Sequence, residues 1–383
     1  MTPPDALLAK LRHCPGQRLT FAEYMDWALY DPQQGYYGRG QVAIHPQGDF
    51  VTAPALGPDF GELLSRQFAQ MGQILGNNSP FTLLEMGAGD GSLALHILRY
   101  CQSHYPDFYL TLNYQILEKS PQLQKRQQET LRDFCHQVNW VDWQDLAPQS
   151  LVGCCFSNEL VDALPVHRLI FKEGQLQEIY VTYQDQQIIE SIAPLSTPEL
   201  AQYFSDLGIE LEPHLYGEGY CTEVNLSAKA WLTQVSKKLK KGYLLTIDYG
   251  YCASKYYHPQ RREGTLQCYY QNRCHSNPYL HIGDQDITSH VNFTALEQWG
   301  QELGLEKLGF TPQALFLMNL GLGDRLTELT TGSYSLPALL QKREALHQLI
   351  DPLGLGKFGI LLQAKGLNEQ ESQYPLEGFR KRP

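Results

Sequence analysis

A glycine-rich segment between an apolar run and an amphipathic stretch places the strongest constraint on the fold of this chain. Residues 81–91 read Phe-Thr-Leu-Leu-Glu-Met-Gly-Ala-Gly-Asp-Gly, so the run ends in Glu85 and is followed by glycines at every second position. Residues 92–98 are apolar at helical spacing and begin with Ser92, which can cap a helix. The pattern predicts a buried parallel strand, a tight turn and a helix, the first half of a βαβ unit in an α/β fold.

The turn is suited to a small ligand. Gly87, Gly89 and Gly91 allow a sharp bend and let a ligand lie against bare main chain. The unpaired N–H groups of the following helix favour an anionic group such as a carboxylate. The dinucleotide fingerprint needs G-x-G-x-x-G, whereas here the third glycine comes one residue early. For this motif alone, a glycine turn without any ligand is the alternative.

The form acid-x-G-x-G-x-G resembles the first motif of class I S-adenosylmethionine (SAM) methyltransferases. In that class the loop faces the methionine part of the cofactor, and an acid ending the second strand binds the ribose hydroxyls. Residues 109–117 read as that second strand and are followed by Glu118. A carboxylate can accept hydrogen bonds from both hydroxyls at once. The resemblance implies SAM as cofactor, with Glu85, the three glycines and Glu118 around it.

Composition narrows the class of protein. The length of 383 residues and the apolar content of 43% suit one large elaborated domain or two. No run approaches the ~18 apolar residues of a membrane helix, and the first residues lack signal- or transit-peptide character, so we expect a cytoplasmic protein without membrane insertion. Nine scattered cysteines without a C-x-x-C pair indicate reduced thiols and no metal site. A net charge of −11 disfavours nucleic acid and suits a cationic or arginine-bearing substrate.

The chain before the glycine motif forms a region of its own. Two amphipathic helices are predicted here, and a Gly-flanked loop with an acid and a hydroxyl lies between them. This loop is interpreted as a lid over the cofactor, to which Gly48, Asp49 and Thr52 contribute. An ordinary Ω-loop packed on the core is the alternative. We therefore expect residues 1–78 to form a helical cap with a lid loop.

A third strand end supplies a weaker candidate. Residues 138–141 read as a short strand, and Asp142 follows with an aromatic residue after it. An acid at this position can meet the adenine amino group of the cofactor. Surface placement of Asp142 is equally consistent with the sequence.

A second candidate site follows the fourth predicted strand, residues 151–157. Asn158 and Glu159 would lie beside the methyl group of the cofactor, because ligands of open α/β sheets bind at strand carboxyl ends. Asp162 lies three residues further and would share a face with Glu159 if the segment is helical. Paired carboxylates can hold a guanidinium bidentately, orient its poorly nucleophilic nitrogen and accept a proton after methyl transfer. Alternatively, Glu159 and Asp162 cap the next helix.

The remaining pattern divides the chain further. We expect a SAM-binding Rossmann half at 79–165, an inserted antiparallel β region at 166–220 and a return to the core at 221–250. A substrate-recognition insertion rich in Tyr, His, Arg and Asn is expected at 251–293. C-terminal core elements at 294–368 and a disordered polar tail at 369–383 complete the chain. In the recognition insertion, His290 is a candidate general base. The same residues from Asp286 onward read equally well as a helix start with a polar cap.

Taken together, these motifs resemble the MidA (DUF185) family over roughly residues 19–330. The resemblance rests on Phe21…Ala28-Leu-Tyr30…Pro32…Gly35-Tyr-Tyr37, Gly48-Asp-Phe50…Thr52-Ala-Pro54, Phe60-Gly61, Glu85…Gly91, Asn158-Glu159…Asp162-Ala-Leu-Pro-Val166, Ile247-Asp-Tyr-Gly250, Thr265-Leu-Gln267 and Asp286-Ile-Thr…His290-Val…Phe293. It implies an α/β, Rossmann-like class I SAM methyltransferase sheet with an N-terminal helical cap and an inserted antiparallel β and substrate region.

By analogy with the mitochondrial complex I assembly factor of that family, the resemblance implies methylation of an arginine ω-nitrogen in a protein, such as a respiratory or NDH-type complex subunit. Two departures bear on it: Ala55 stands where the family usually has Glu, and the cofactor loop reads G-A-G-D-G-S instead of G-P-G-R-G-T. A SAM-binding assembly factor without essential catalysis is one alternative, and a nicotinamide-dependent dehydrogenase is another. The oligomeric state stays open, with a dimer possible.

Overall fold

A computed structural model describes residues 3–40, 52–76, 80–332 and 334–380, except for the side chain of Pro213. The N-terminal elements are α1 (Asp5–His13), β1 (Arg18–Thr20), α2 (Phe21–Tyr30) and α3 (Asp59–Leu75). Helix α2 begins where the capping-box pattern predicts. The Thr20 hydroxyl accepts a hydrogen bond from the Glu23 N–H at 3.1 Å, and the Glu23 carboxylate accepts one from the Thr20 N–H at 2.8 Å.

The first half of the core follows the predicted βαβ order. Its elements are β2 (Phe81–Met86), α4 (Ser92–His104), α5 (Pro106–Thr111), β3 (Leu112–Leu117), α6 (Pro121–Thr130), β4 (Val138–Val141) and β5 (Leu151–Asn158). The expected start of β3 at residue 109 is wrong. Pro106 occupies the first turn of α5, a position that favours a helix, so the strand begins only at Leu112.

The inserted region is largely antiparallel, as expected. It contains β6 (His167–Lys172), β7 (Gln175–Gln184), β8 (Gln187–Ala193), α7 (Glu199–Asp206), α8 (Pro213–Tyr216) and β9 (Cys221–Val224). Its sheet has the order β1-β7-β6-β9, and β8 also pairs with β7. Strand β1 therefore joins this sheet, with Leu19 opposite Val181. The N-terminal region and the insertion share one sheet, which no local pattern in the sequence predicts.

The second half of the chain completes the core and adds small sheets. Its elements are α9 (Leu226–Lys238), β10 (Leu239–Asp248), β11 (Gly250–Tyr251), α10 (Ala253–Tyr256), β12 (Gln267–Tyr270), β13 (Arg273–His275), β14 (Asp286–Thr288), β15 (Val291–Asn292), α11 (Phe293–Glu302), β16 (Glu306–Pro312), α12 (Gln313–Asn319), α13 (Leu322–Thr331), α14 (Leu336–Ile350), β17 (Gly359–Lys365) and α15 (Glu369–Gln373). Among the residues described, no helix combines the length and apolarity needed to cross a membrane.

The central sheet has seven strands in the order β16-β17-β10-β5-β2-β3-β4. Strand β17 runs antiparallel to both of its neighbours, whereas β10, β5, β2, β3 and β4 are parallel to one another. The carboxyl ends of these five strands therefore meet at one edge. The chain proceeds outward from β2 to β4 and then returns on the other side at β5. This reversal between β2 and β5 is the switch point at which open α/β sheets bind ligands.

Both faces of this sheet are covered. Adjacent residues Leu83 and Leu84 of β2 point to opposite faces and are both fully buried. Leu83 belongs to an apolar layer with α3 and α4, and Leu84 to a second layer with α9 and α11. Burial on both faces explains why β2 reads as a continuous apolar run instead of an alternating one.

The expected disorder of residues 369–383 is wrong for the part of the tail that the structure describes, residues 369–380. Asn368 and Glu371 form a capping box at the start of α15. Leu376 is buried, and the Phe379 ring packs on Phe316 with centroids 5.2 Å apart. The tail is mostly polar, but Leu376 and Phe379 are apolar and anchor it to the core. Burying these two side chains offsets the conformational entropy that is lost when the tail is ordered.

We expect Leu376→Ala to lower the free energy of unfolding by about 2 kcal/mol, because it leaves a cavity beneath the tail. Tyr374→Ala is the matched control, since that side chain is 53% exposed and its loss should change stability little. Urea unfolding of the two variants and the parent chain measures both effects. Equal midpoints for all three would contradict an anchored tail.

Candidate active site

A cavity of about 1040 Å³ opens at the carboxyl edge of the central sheet, at the switch point between β2 and β5. Nine of the predicted site residues line it: Thr52, Glu85, Gly87, Gly89, Glu118, Asn158, Glu159, Asp162 and His290. Gly91 and Asp142 do not line it, although Trp143, the neighbour of Asp142, does. The predicted Gly48 and Asp49 lie outside the described residues, so the lid interpretation stays a prediction.

The glycine loop bends in the way its spacing predicts. Gly87, Gly89 and Gly91 have φ of 76°, 55° and 84°, in the left-handed region that favours glycine. The Gly87 N–H donates to the Leu117 carbonyl at 3.1 Å, which fixes the loop to the end of β3. A Cβ on Gly87 would lie 2.9 Å from Leu160 Cδ1. The left-handed φ, together with this close approach, favours glycine at this residue on the cavity wall.

Gly91, which was predicted to contact the cofactor, does not line the cavity, so that role stays a prediction. It is the left-handed N-cap of α4, and a Cβ there would lie 3.3 Å from the Cα of Gln127. Its place in the motif is explained by the turn and by helix packing, since it does not line the cavity.

Glu85 ends β2 with a buried carboxylate. The Tyr114 hydroxyl donates to it at 2.6 Å. Burial raises the pKa of Glu85 to about 7, and the hydrogen bond from Tyr114 opposes that rise. The carboxyl group of Glu85 is therefore close to half-ionised at neutral pH.

Glu118 follows β3 and is held rigidly at the cavity wall. Its Oε1 accepts from the Ser120 N–H at 2.9 Å, and its Oε2 accepts from the Gln127 amide at 3.1 Å. Burial raises the pKa of Glu118, while these hydrogen bonds favour the charged form. Each carboxylate oxygen can accept more than one hydrogen bond, so the group retains capacity for a ligand diol.

Gln127 is a positioning residue that the sequence reasoning missed. It is fully buried, and its amide nitrogen also donates to the Gly89 carbonyl at 2.9 Å. Its amide oxygen accepts from the Trp140 ring N–H at 2.9 Å. One amide therefore ties the glycine loop, Glu118 and β4 together. A glutamine among the polar residues of α6 gives no local signal of this role.

The segment after β5 is a turn and not a helix, so a helical face shared by Glu159 and Asp162 is wrong. The alternative in which they cap the next helix fails as well, because the next element is β6. Glu159 has φ of 54°, uncommon for a non-glycine residue, and its N–H donates to the Ile247 carbonyl at 2.9 Å. The Asn158 amide donates to the Glu159 carboxylate at 3.0 Å.

Burial together with the nearby charge of Asp162 raises the pKa of Glu159 to about 8. Asp162 is itself buried, and burial raises its pKa while a hydrogen bond from Tyr249 opposes the rise. Within the described residues, Asp162 Oδ1 and Asn158 Oδ1 have no hydrogen-bond donor. Buried acceptors normally have partners, so this wall is suited to a ligand that brings several donors.

Asp248 holds this turn in place and was not predicted as a site residue. It is fully buried at the end of β10. Its Oδ2 accepts from the N–H groups of Val161 and Asp162 at 2.9 and 3.2 Å, and its Oδ1 accepts from the Tyr249 N–H at 2.9 Å. Burial, followed by the charges of Asp162 and Glu159, raises the pKa of Asp248. Three N–H donors to one carboxylate fix the backbone beside Glu159.

The N-terminal region supplies another side of the cavity. The Tyr37 hydroxyl donates to the Asp286 carboxylate at 2.9 Å, and the Tyr30 hydroxyl donates to the Ala163 carbonyl at 2.8 Å. The two tyrosine rings stack with centroids 5.7 Å apart. Tyr30, Tyr37 and Asp286 all line the cavity. In the sequence Asp286 lies far from the two tyrosines, all three within motifs that resemble the family, and their proximity depends on the tertiary fold.

His290 lines the cavity just after β14, so the helix start suggested for this segment is wrong and α11 begins at Phe293. The ring stacks on Tyr251 at 4.9 Å between centroids. Burial lowers the pKa of His290 to about 4, so the ring is neutral near pH 7 and is a weak proton acceptor.

The residues fit a SAM molecule. Gly87 lines the cavity with bare main chain, which leaves room for an amino-acid tail. The fixed Glu118 carboxylate lines the same cavity, where it can accept from a ribose diol. The cavity is also large enough for a cofactor and a substrate side chain together, since ligand sites typically measure about 300–1,000 Å³.

Comparison with known proteins agrees with this geometry. The structure of a Burkholderia thailandensis protein bound to S-adenosyl-homocysteine is 30% identical and superposes with a TM-score of 0.81, covering 98% of this chain and 94% of that one. The Drosophila melanogaster homologue named protein arginine methyltransferase NDUFAF7 is 27% identical over 394 residues, 94% of this chain and 84% of its own length. Human NDUFAF7, described as mitochondrial, is 27% identical over 88% of this chain and 78% of its own length.

The family model described as "Putative S-adenosyl-L-methionine-dependent methyltransferase" matches residues 63–311, well over half of the chain. This span contains β2 to β5, the glycine loop and the acidic turn. The expected Rossmann-like methyltransferase fold is confirmed, and nothing in these comparisons supports the dehydrogenase alternative. The chain belongs to this family of SAM-dependent methyltransferases.

Proposed function

We propose that this chain transfers a methyl group from SAM to an ω-nitrogen of an arginine in a protein substrate. The observation that carries the proposal is the acceptor-rich wall formed by Asn158, Glu159 and Asp162, with two buried acceptor atoms that lack donors in the described structure. A guanidinium presents five N–H donors and a permanent positive charge. The names of the curated relatives, protein arginine methyltransferases, provide independent support.

For the cofactor, we assign the ribose hydroxyls to Glu118 and the methionine part to the main chain at Gly87 and Gly89, with Glu85 beside it. Thr52 lines the same cavity and would contact the cofactor or the substrate. Asp142 keeps a weaker assignment near the adenine, because only its neighbour Trp143 lines the cavity. Bound SAM supplies an electrophilic methyl group on a sulfonium centre.

For the substrate, Glu159 and Asp162 would hold the guanidinium, and the Asn158 carboxamide oxygen would accept a further N–H. Ionic hydrogen bonds of this kind orient the planar group and keep its positive charge on the nitrogens that do not react. The attacking nitrogen must lose a proton. Glu159 is the better acceptor because its pKa is raised to about 8, whereas the pKa of His290 is lowered to about 4.

The identity of the substrate protein is a matter of analogy. A respiratory or NDH-type complex subunit is proposed from the resemblance to the complex I assembly factor. The curated relatives are described as mitochondrial, so they do not support the cytoplasmic location, which stays a prediction. Mass spectrometry for methylarginine in cells with and without this chain tests the proposal and identifies the target.

We expect Gly87→Ala to weaken SAM binding about tenfold, because alanine is strained at a φ of 76° and its Cβ would press on Leu160. Gly174→Ala is a matched control: its φ is 73°, yet no atom of the described residues lies within 4 Å of the added Cβ. Calorimetric titration with SAM measures both variants, and NAD is titrated in parallel. A response to NAD without one to SAM would contradict the proposed cofactor.

We expect Glu159→Gln to lower kcat for methyl transfer on the order of a hundredfold while SAM affinity stays unchanged, because proton acceptance is lost and cofactor contacts remain. Glu302→Gln, an exposed residue on α11, controls for loss of one negative charge. Complementation of a deletion strain adds a second readout. Normal complex assembly without methylated protein would favour the scaffold alternative.

We expect KM for an arginine peptide to fall as pH rises from 6 to 8. The pKa of Glu159 is about 8 in the free enzyme, so a proton competes with the cationic substrate at low pH and leaves as pH rises. Initial rates across this range, in the parent chain and in Glu159→Gln, measure the effect. A slope that persists in the variant would exclude Glu159 as its source.

A further inference from the structure

We propose that Arg261 and Lys357, which together we call the basic rim, bind an aspartate or glutamate side chain of the substrate close to its target arginine. This inference rests on the proposed function and deepens it, because it defines the substrate as an arginine with an acidic neighbour. It concerns a different part of the cavity wall from the acidic turn.

The basic rim comes from two separate parts of the chain. Arg261 lies between α10 and β12, and Lys357 ends the short turn Leu355–Lys357 before β17. Both line the same cavity as Glu159. Both also lie near His290. Burial is the main cause that lowers the pKa of this ring, a hydrogen bond with Thr265 raises the pKa, and the positive charges of Arg261 and Lys357 lower it. The fold thus places two cations from separate parts of the chain on the wall of one cavity, with the same histidine near both.

Among the described residues, these two cations have no acidic partner. In the part of the chain that the structure covers, neither Arg261 nor Lys357 forms an ion pair, and the Arg261 Nε–H donates only to the Lys255 carbonyl, at 3.5 Å. By contrast, Arg39 pairs with Asp284 at 2.5 Å. The chain has a net charge of −11, so two cavity-lining cations that form no ion pair within the described residues are suited to an anionic ligand.

Aromatic rings hold the guanidinium of the rim in place. Arg261 lies over the Tyr251 ring, with its central carbon 4.5 Å from the centroid, and the His290 ring stacks parallel to Tyr251. A guanidinium fixed by its face keeps its N–H edge free, and that edge matches a carboxylate bidentately. Lys357 is exposed and adds a second positive charge to the wall of the same cavity.

The position of the rim favours the substrate over the cofactor. Tyr251 lies in β11, shortly after β10, and His290 follows β14, whereas Glu85 and Glu118 follow β2 and β3. The rim therefore belongs to the same half of the cavity as Asp162 and Tyr249. This half of the cavity contains the hydrogen-bond acceptors of the acidic turn, which suit a cation, and the basic rim, which suits an anion. The cavity therefore matches a substrate that carries both a positive and a negative charge.

The test uses the full chain saturated with S-adenosylhomocysteine and fluorescent peptides that contain one arginine. Each peptide carries one aspartate at a different position before or after the arginine, and each has a partner with asparagine there. Fluorescence anisotropy gives the binding ratio for every pair. We expect about fivefold tighter binding for aspartate in at least one register, with a ratio that falls as salt is added.

The ratio should approach one in Arg261→Gln/Lys357→Gln and stay unchanged in Lys240→Gln, an exposed lysine away from the cavity. Lys357→Gln alone should lose part of the preference, which keeps the test valid if the double variant folds poorly. Equal binding in every register, a preference that survives both substitutions, or a loss of S-adenosylhomocysteine affinity in the variants would overturn the proposal.

Methyl transfer to the same peptides separates this inference from the proposed function. Transfer to arginine without any preference for aspartate would contradict the basic rim alone. A rim-dependent preference for aspartate without transfer would support the basic rim and contradict the assignment of arginine as the methyl acceptor.

Discussion

The buried carboxylate of Asp248 is the interaction on which the rest of the site depends. It ends β10 and accepts hydrogen bonds from three main-chain N–H groups, two of them in the turn that carries Glu159 and Asp162. A turn with a strained φ at Glu159 persists only if its surroundings hold it. Asp248 does so from the neighbouring strand, and the parallel pairing of β5 with β10 keeps the two strand ends in register.

This arrangement concentrates several carboxyl groups in a poorly solvated region, which is energetically unfavourable for their charged forms. Burial raises the pKa values of Glu85, Glu159, Asp162 and Asp248, which shifts the preference of these groups toward their neutral forms in the free protein. A cationic ligand would reverse that preference, since an opposite charge nearby stabilises the ionised form. The wall is therefore better matched to a bound cation than to an empty cavity, which is the physical basis for a charged substrate.

The proposed cofactor side and the proposed substrate side of the cavity are built from different parts of the chain. The cofactor side follows β2 and β3, and Gln127 joins its elements through one buried amide. The substrate side combines the ends of β5 and β10 with the Tyr37–Asp286 contact and the basic rim. The N-terminal region supplies Tyr30 and Tyr37 to the cavity wall, and the pairing of β1 with β7 joins this region to the antiparallel insertion.

The sequence by itself determined the glycine loop, most strands of the central sheet and the strand-end residues Glu85, Glu118 and Asn158, because periodicity and turn chemistry are local properties of the chain. Only the tertiary structure decided which distant residues meet. Tyr37 and Asp286 are 249 residues apart in sequence, Asp248 reaches the acidic turn across a strand pair, and the basic rim joins two separate loops. The packed tail illustrates the same limit, since two apolar side chains in a polar segment become anchors only where the core offers a surface to bury them.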